Sequence, residues 1–154
     1  MTEDSVITDE MRQAIGSLLD TSVLEIEKGK IKQYVRAMEE TNPLYQDEDY
    51  AIGSRYHGLI APPGLLITQV MSGGASYNMP YEDPLTHSVD AGEIIEFFQP
   101  IRPGDVLFLT RKLKSLSERE SKSLGKMRMQ DVEVTYTNQR GEVVARKVKS
   151  SFRY

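Results

Sequence analysis

One segment of the chain is apolar on nearly every side. It runs from Leu65-Leu66-Ile67 through Val70 to Met71 and is entered by Pro62-Pro63-Gly64. A helix with an apolar stripe rests on a surface, whereas one that is greasy all round must be enclosed. Proline suits a first helical turn, where its missing N–H would be unpaired anyway, and Gly73-Gly74 is placed to stop the helix. The rest of the chain has to provide the enclosure.

The material for it lies downstream. Glu93–Gln99, Val106–Leu113, Met127–Tyr136 and Glu142–Phe152 read as strands, with turns at Gly104-Asp105 and Asn138-Gln139-Arg140-Gly141. In the third strand the apolar residues are odd-numbered at Met127 and Met129, then even-numbered at Val132, Val134 and Tyr136. That switch predicts a bulge near Gln130-Asp131, since one extra residue reverses the faces. Upstream, Asp9–Asp20 reads as a helix with Met11, Ile15, Leu18 and Leu19 on one side, followed by a strand over Ser22–Glu27. Lys28–Glu40 carries Ile31, Tyr34, Val35 and Met38 at helical spacing, and Asn42-Pro43 is expected to end it. Tyr50-Ala51-Ile52 reads as a helical turn, and residues 75–87 as irregular and mobile. Helices first and antiparallel strands last is the α+β pattern.

A length of 154 residues fits one domain over residues 1–154, with residues 1–20 as a helical extension. The absence of cysteine excludes disulfides, thiol catalysis and thiolate metal sites, and two histidines, His57 and His87, are too few for a histidine-rich metal site. No apolar run reaches the length of a membrane span. The acidic start Met1-Thr2-Glu3-Asp4 is unlike a secretory signal, so a cytoplasmic location is expected. Only six of the 19 lysines and arginines lie in residues 1–98. The basic second half is read as a solvated sheet face in preference to a nucleic-acid surface.

Five segments in order carry a resemblance: Glu27-Lys28-Gly29-Lys30-Ile31, Asn42-Pro43-Leu44-Tyr45-Gln46-Asp47, Ile60-Ala61-Pro62-Pro63-Gly64, Pro100-Ile101-Arg102-Pro103-Gly104-Asp105-Val106 and Tyr136-Thr137-Asn138-Gln139-Arg140-Gly141-Glu142. Together they resemble the MaoC-like dehydratase family, in its N-terminal-domain branch. The resemblance implies an α+β hot-dog fold, in which a curved antiparallel sheet wraps a long apolar helix. It also implies hydration of trans-2-enoyl thioesters of coenzyme A or acyl carrier protein, or the reverse dehydration. No cofactor is expected, since the sequence has no Walker-type loop and no Gly-x-Gly-x-x-Gly. Paired hot dogs are the family habit, and some N-terminal-type halves serve a catalytic partner.

The active family motif places an aspartate two residues before Asn-Pro and a histidine two residues after it, for general acid–base work on water and the α-carbon. Here Glu40 stands at the aspartate position and Tyr45 at the histidine position, while Asn42, Pro43 and Leu44 are kept. A glutamate carboxylate is displaced by a methylene, and a phenol with an ordinary pKa near 10 shuttles protons poorly at neutral pH. The pair is therefore expected to be inactive, with Glu40 at a helix end and Tyr45 packed in a loop as the plainer alternative. Asn42 is a candidate to bind substrate or to stop the helix. Gly64 is a candidate to offer its N–H to the thioester oxygen or to serve only as helix entry.

His57 and His87 read as surface histidines in preference to replacements for the missing one. Lys28, Lys32 and Arg36 share a helical face and read as solvated in preference to phosphate ligands. Met71 and Met79 read as core in preference to an acyl tunnel. The leading expectation is a subunit of an enoyl-CoA hydratase or 3-hydroxyacyl-thioester dehydratase in fatty acid metabolism, shaping the acyl pocket for a MaoC-like partner in a heterodimer. The alternative is a non-catalytic acyl-thioester binding or regulatory homodimer. A thioesterase reading is disfavoured, because Leu65–Ser72 contains no acid.

Overall fold

The computed structural model describes residues 5–67 and 77–154. Five strands, β1 (Leu18–Glu25), β2 (Ser88–Phe97), β3 (Val106–Ser121), β4 (Gly125–Thr137) and β5 (Val143–Arg153), pair antiparallel in the order β1-β3-β4-β5-β2. Three short helices stand outside the sheet: α1 (Asp9–Gln13), α2 (Lys28–Ala37) and α3 (Glu48–Gly53). Residues 65–67 are helical, and Leu65 and Leu66 are buried. The expected continuation to Met71 and the stop at Gly73-Gly74 lie outside the described residues. One sheet with helices ahead of it is the α+β hot dog.

The core divides in two along the sheet. The first cluster joins Ile31 and Val35 of α2 and Leu65 and Leu66 to Leu107, Leu109, Val134, Tyr136 and Val144. The second joins Met11 of α1 to Leu19, Tyr81, Leu113 and Val132. Two turns pin the strands. Gly104, at φ +88, permits the turn in which its N–H bonds Ile26 O at 2.7 Å, and Gly141, at φ +80, closes the β4–β5 hairpin.

Four expectations need correction. The first helix stops at Gln13 instead of Asp20, because Gly16 (φ +90) turns the chain and donates its N–H to Leu113 O at 2.7 Å. Leu18 and Asp20 then pair with β3, and Leu19 is the extra residue that bulges inward. The second helix ends at Ala37, before Asn42-Pro43 acts. Glu39 takes the left-handed position (φ +51) and Glu40 N–H returns to Val35 O at 2.9 Å, the bond pattern of a Schellman cap.

The expected bulge in β4 is absent. Arg128, Gln130, Val132, Val134 and Tyr136 are all buried on one face, and the register with β5 is continuous from Arg128 to Tyr136. The bulge sits opposite, at Lys114 of β3, where Leu113 pairs with Val132 and Ser115 with Asp131. Finally, the basic half is not simply a solvated face. Arg128 and Lys147 are fully buried, and they pair with Asp83 and Glu93 respectively.

Candidate functional site

The Schellman turn at the end of α2 delivers Glu40 into a short, self-capped loop. Glu40 Oε1 accepts from the N–H groups of Thr41 (3.0 Å) and Asn42 (3.1 Å), and Glu40 O accepts from Gln46 Nε2 (3.3 Å). Asn42 Oδ1 in turn accepts from Leu44 N–H at 3.1 Å, capping the 3₁₀ turn Pro43–Tyr45. Glu40 and Asn42 thus both act on their own backbone, which is the structural reading for each. Beside the loop a cleft of about 610 Å³ opens, lined by Lys32, Val35, Arg36, Glu39, Glu40 and Gln46.

Tyr45 leans on the first core cluster, half-buried. Burial pushes its phenol above the ordinary value of 10.0, and the Glu40 carboxylate pushes it further; the side-chain hydrogen bond with Asn42 opposes them, and Tyr56 and Tyr34 add upward pressure. A proton shuttle needs the opposite displacement. These interactions also show that Glu40, Asn42, Tyr45, Tyr34 and Tyr56 share one locality.

Gly64 joins this locality through two strapping bonds. Ile60 N–H reaches Leu44 O at 3.2 Å, and Ala61 N–H reaches Ile101 O at 2.7 Å, holding the Pro62-Pro63-Gly64 entry against the 3₁₀ turn. The Tyr34 hydroxyl stands directly over Gly64, in the space a β-carbon would take. Among the described residues neither the Gly64 N–H nor the Tyr34 hydroxyl has a hydrogen-bond partner.

Sequence reasoning missed Tyr34 and Tyr56 as members of this group. Tyr34 is one of the apolar stripe on α2, and its polar tip is the only signal that sets it apart. His57 lies exposed in a left-handed turn (φ +54), and among the described residues its side chain has no hydrogen bond, ion pair or ring contact. His87 is exposed at the sheet margin, exchanging backbone bonds with Tyr154 at 3.1 Å and stacking on its ring at 5.3 Å. Lys28 pairs with Glu48 on α3, while Lys32 and Arg36 face the cleft. Met79 packs on the second core cluster, and Met71 lies outside the described residues. No described group of three or more His, Cys, Asp or Glu side chains converges as a metal site would require. No described helix is long and apolar enough to cross a membrane.

Comparison with known proteins identifies the family and the fold. The family model for the FAS1-like dehydratase domain region matches residues 13–147. A probable enoyl-CoA hydratase alpha subunit of Thermomonospora curvata is 30% identical over 129 residues, which are 75% of this chain and 40% of that protein. This chain therefore spans well under half the length of that relative. The MaoC-like dehydratase from Rhodospirillum rubrum superposes with a TM-score of 0.72 at 25% identity, covering 92% of each chain. The truncated HadBC (3R-hydroxyacyl-ACP dehydratase) complex from Mycobacterium tuberculosis shares the fold, with a TM-score of 0.70 at 17% identity over 95% of this chain and 98% of that one.

Proposed function

The chain belongs to the family of FAS1-like dehydratase regions, built on the MaoC-like hot dog, and from that premise we propose that it is the non-catalytic subunit of an enoyl-thioester hydratase or 3-hydroxyacyl-thioester dehydratase. In this reading a MaoC-like partner chain with an intact Asp/His pair supplies the proton transfers, and this chain completes the acyl pocket. Its ligand is an acyl-CoA or acyl-carrier-protein thioester. A role in fatty acid metabolism and a cytoplasmic location go with the reading.

The observation that carries it is the state of the acid–base positions. Glu40 Oε1 is committed to two backbone N–H groups, and the Tyr45 phenol is displaced away from the neutral range. The two bonds tie the carboxylate to its own loop through Oε1, while Oε2 has no partner among the described residues. What remains for substrate is the Gly64 N–H, with the Tyr34 hydroxyl beside it. Both are donors of the kind that hold a thioester oxygen as negative charge develops on it. The similarity to one chain of a heteromeric dehydratase supports a separate catalytic partner.

The test is co-expression with a MaoC-like chain bearing the full Asp/His motif. Crotonyl-CoA hydration should rise in the mixed complex and be negligible in the isolated chain. Full turnover by the isolated chain would overturn the reading. Thioester binding without turnover in any complex would replace it with the homodimeric binding module.

A further inference from the structure

A second cavity lies on the core side of the sheet, away from the Glu40 loop. It measures about 280 Å³, near the lower end of the roughly 300–1,000 Å³ usual for small-molecule sites. Its polar wall follows from strand register. Ser88 lies opposite Arg153, which lies opposite Arg128; Asp90 lies opposite Ser151, which lies opposite Gln130. Residues directly opposite in neighbouring strands share a face, so Ser88, Gln130, Ser151 and Arg153 converge, with Lys149 one row further along. Gln130 Oε1 is taken by the Tyr81 hydroxyl at 3.2 Å, which leaves its Nε2 as the free donor. Tyr77 and Met79 form the apolar side of the cavity.

The local charge does not balance. Arg128 and Arg153 share a single carboxylate, Asp83, and Lys149 pairs with Asp90 at 3.2 Å. Among the described side chains three cations therefore face two carboxylates. Lys147 is neutralised by Glu93 at 3.1 Å. Glu118, opposite Arg128 on β3, is exposed and engaged by Ser5 and Val6. Arg128 is fully buried and does not line the cavity, so the positive charge there is presented by Lys149 and Arg153, beside the Asp90 carboxylate.

We propose that this cavity binds the carboxylate of a small monocarboxylic acid, with the head among Gln130, Lys149, Ser151 and Arg153 and the apolar tail against Tyr77 and Met79. A single negative charge matches the single unmatched positive one. A phosphate dianion would reverse the imbalance.

The test is titration of the whole protein with hexanoate, hexanamide and inorganic phosphate, followed by calorimetry and by amide chemical-shift mapping. Hexanoate should bind with shifts centred on residues 130 and 149–153, and neither hexanamide nor phosphate should compete. Lys149→Met should weaken hexanoate by about tenfold or more, the value of one charge-assisted hydrogen bond, and Ser151→Leu should block it by filling the cavity. Absence of hexanoate binding at millimolar concentration overturns the proposal. So does equal binding of hexanamide or phosphate, or shifts confined to the Glu40 loop. The wild-type selectivity and map decide the matter even where a variant fails to fold. They are also independent of turnover in the mixed complex.

Discussion

The Tyr34 hydroxyl of α2 covers the α-carbon of Gly64, so that a β-carbon at position 64 would overlap its oxygen and lie 3.1 Å from Cζ. A side-chain-free residue is thus required by a contact across 30 positions of sequence. Gly64→Ala is expected to cost roughly 1–3 kcal/mol, as overpacking does. Tyr34→Phe removes the overlapping oxygen and should restore part of that loss. A double-mutant cycle by urea unfolding measures the coupling; strictly additive losses would show that the contact does not constrain Gly64.

Asp83 is bonded by both Arg128, with a side chain 0% exposed, and Arg153. Removing one partner of a buried pair leaves an uncompensated charge, at about 3–5 kcal/mol. Asp83→Ala should approach that cost. Glu48→Ala, which breaks the exposed pair with Lys28, should have little effect, because solvent screens a surface ion pair. Denaturant midpoints of the two variants should rank in that order.

Glu39 holds a left-handed conformation at the helix end, with φ +51 and an exposed side chain. Glycine bears no steric penalty there. Glu39→Gly is expected to stabilise the protein by about 0.5–1 kcal/mol, less whatever is lost through added freedom of the unfolded chain. A rise in Tm is the expected result.

Glu40 serves its own loop through two N–H acceptances. Glu40→Ala should lower stability by about 1 kcal/mol, as loss of a side-chain cap does. In a reconstituted hydratase complex it should leave kcat nearly unchanged. A collapse of kcat in a complex that still assembles would return Glu40 to the chemistry.

Burial is the first cause holding the phenols of Tyr45, Tyr77, Tyr81 and Tyr136 above their ordinary value of 10.0. The folded state therefore favours the neutral phenol. Its contribution to stability is complete below pH 10 and is lost as pH climbs through the higher folded-state values. Phenolate absorbance should show some of the eight tyrosines ionising near pH 10 and the buried ones only at higher pH, together with unfolding. A single normal transition in a still-folded protein would contradict this.

Much of the architecture was legible because its causes are local. Turn chemistry at Gly104-Asp105 and at Asn138–Gly141 and the helical spacing of Ile31, Tyr34 and Val35 each act within a few residues. The motif positions Glu40, Asn42, Tyr45 and Gly64 could likewise be numbered from the chain alone. The reading failed where a local pattern was outvoted. Leu18 and Leu19 fit a helical stripe with Met11 and Ile15, yet the edge of β3 captured them as strand.

The amino-acid order by itself determined an α+β chain whose greasy segment needs enclosing; the candidate proton-transfer positions Glu40 and Tyr45 came through the family resemblance. Tertiary structure decided which side of β4 is inside. Arg128 and Gln130 look like surface residues until Asp83 and Tyr81 arrive from a distant loop to satisfy them. A charge is buried or solvated according to the partner it finds, and that partner is chosen by the fold as a whole.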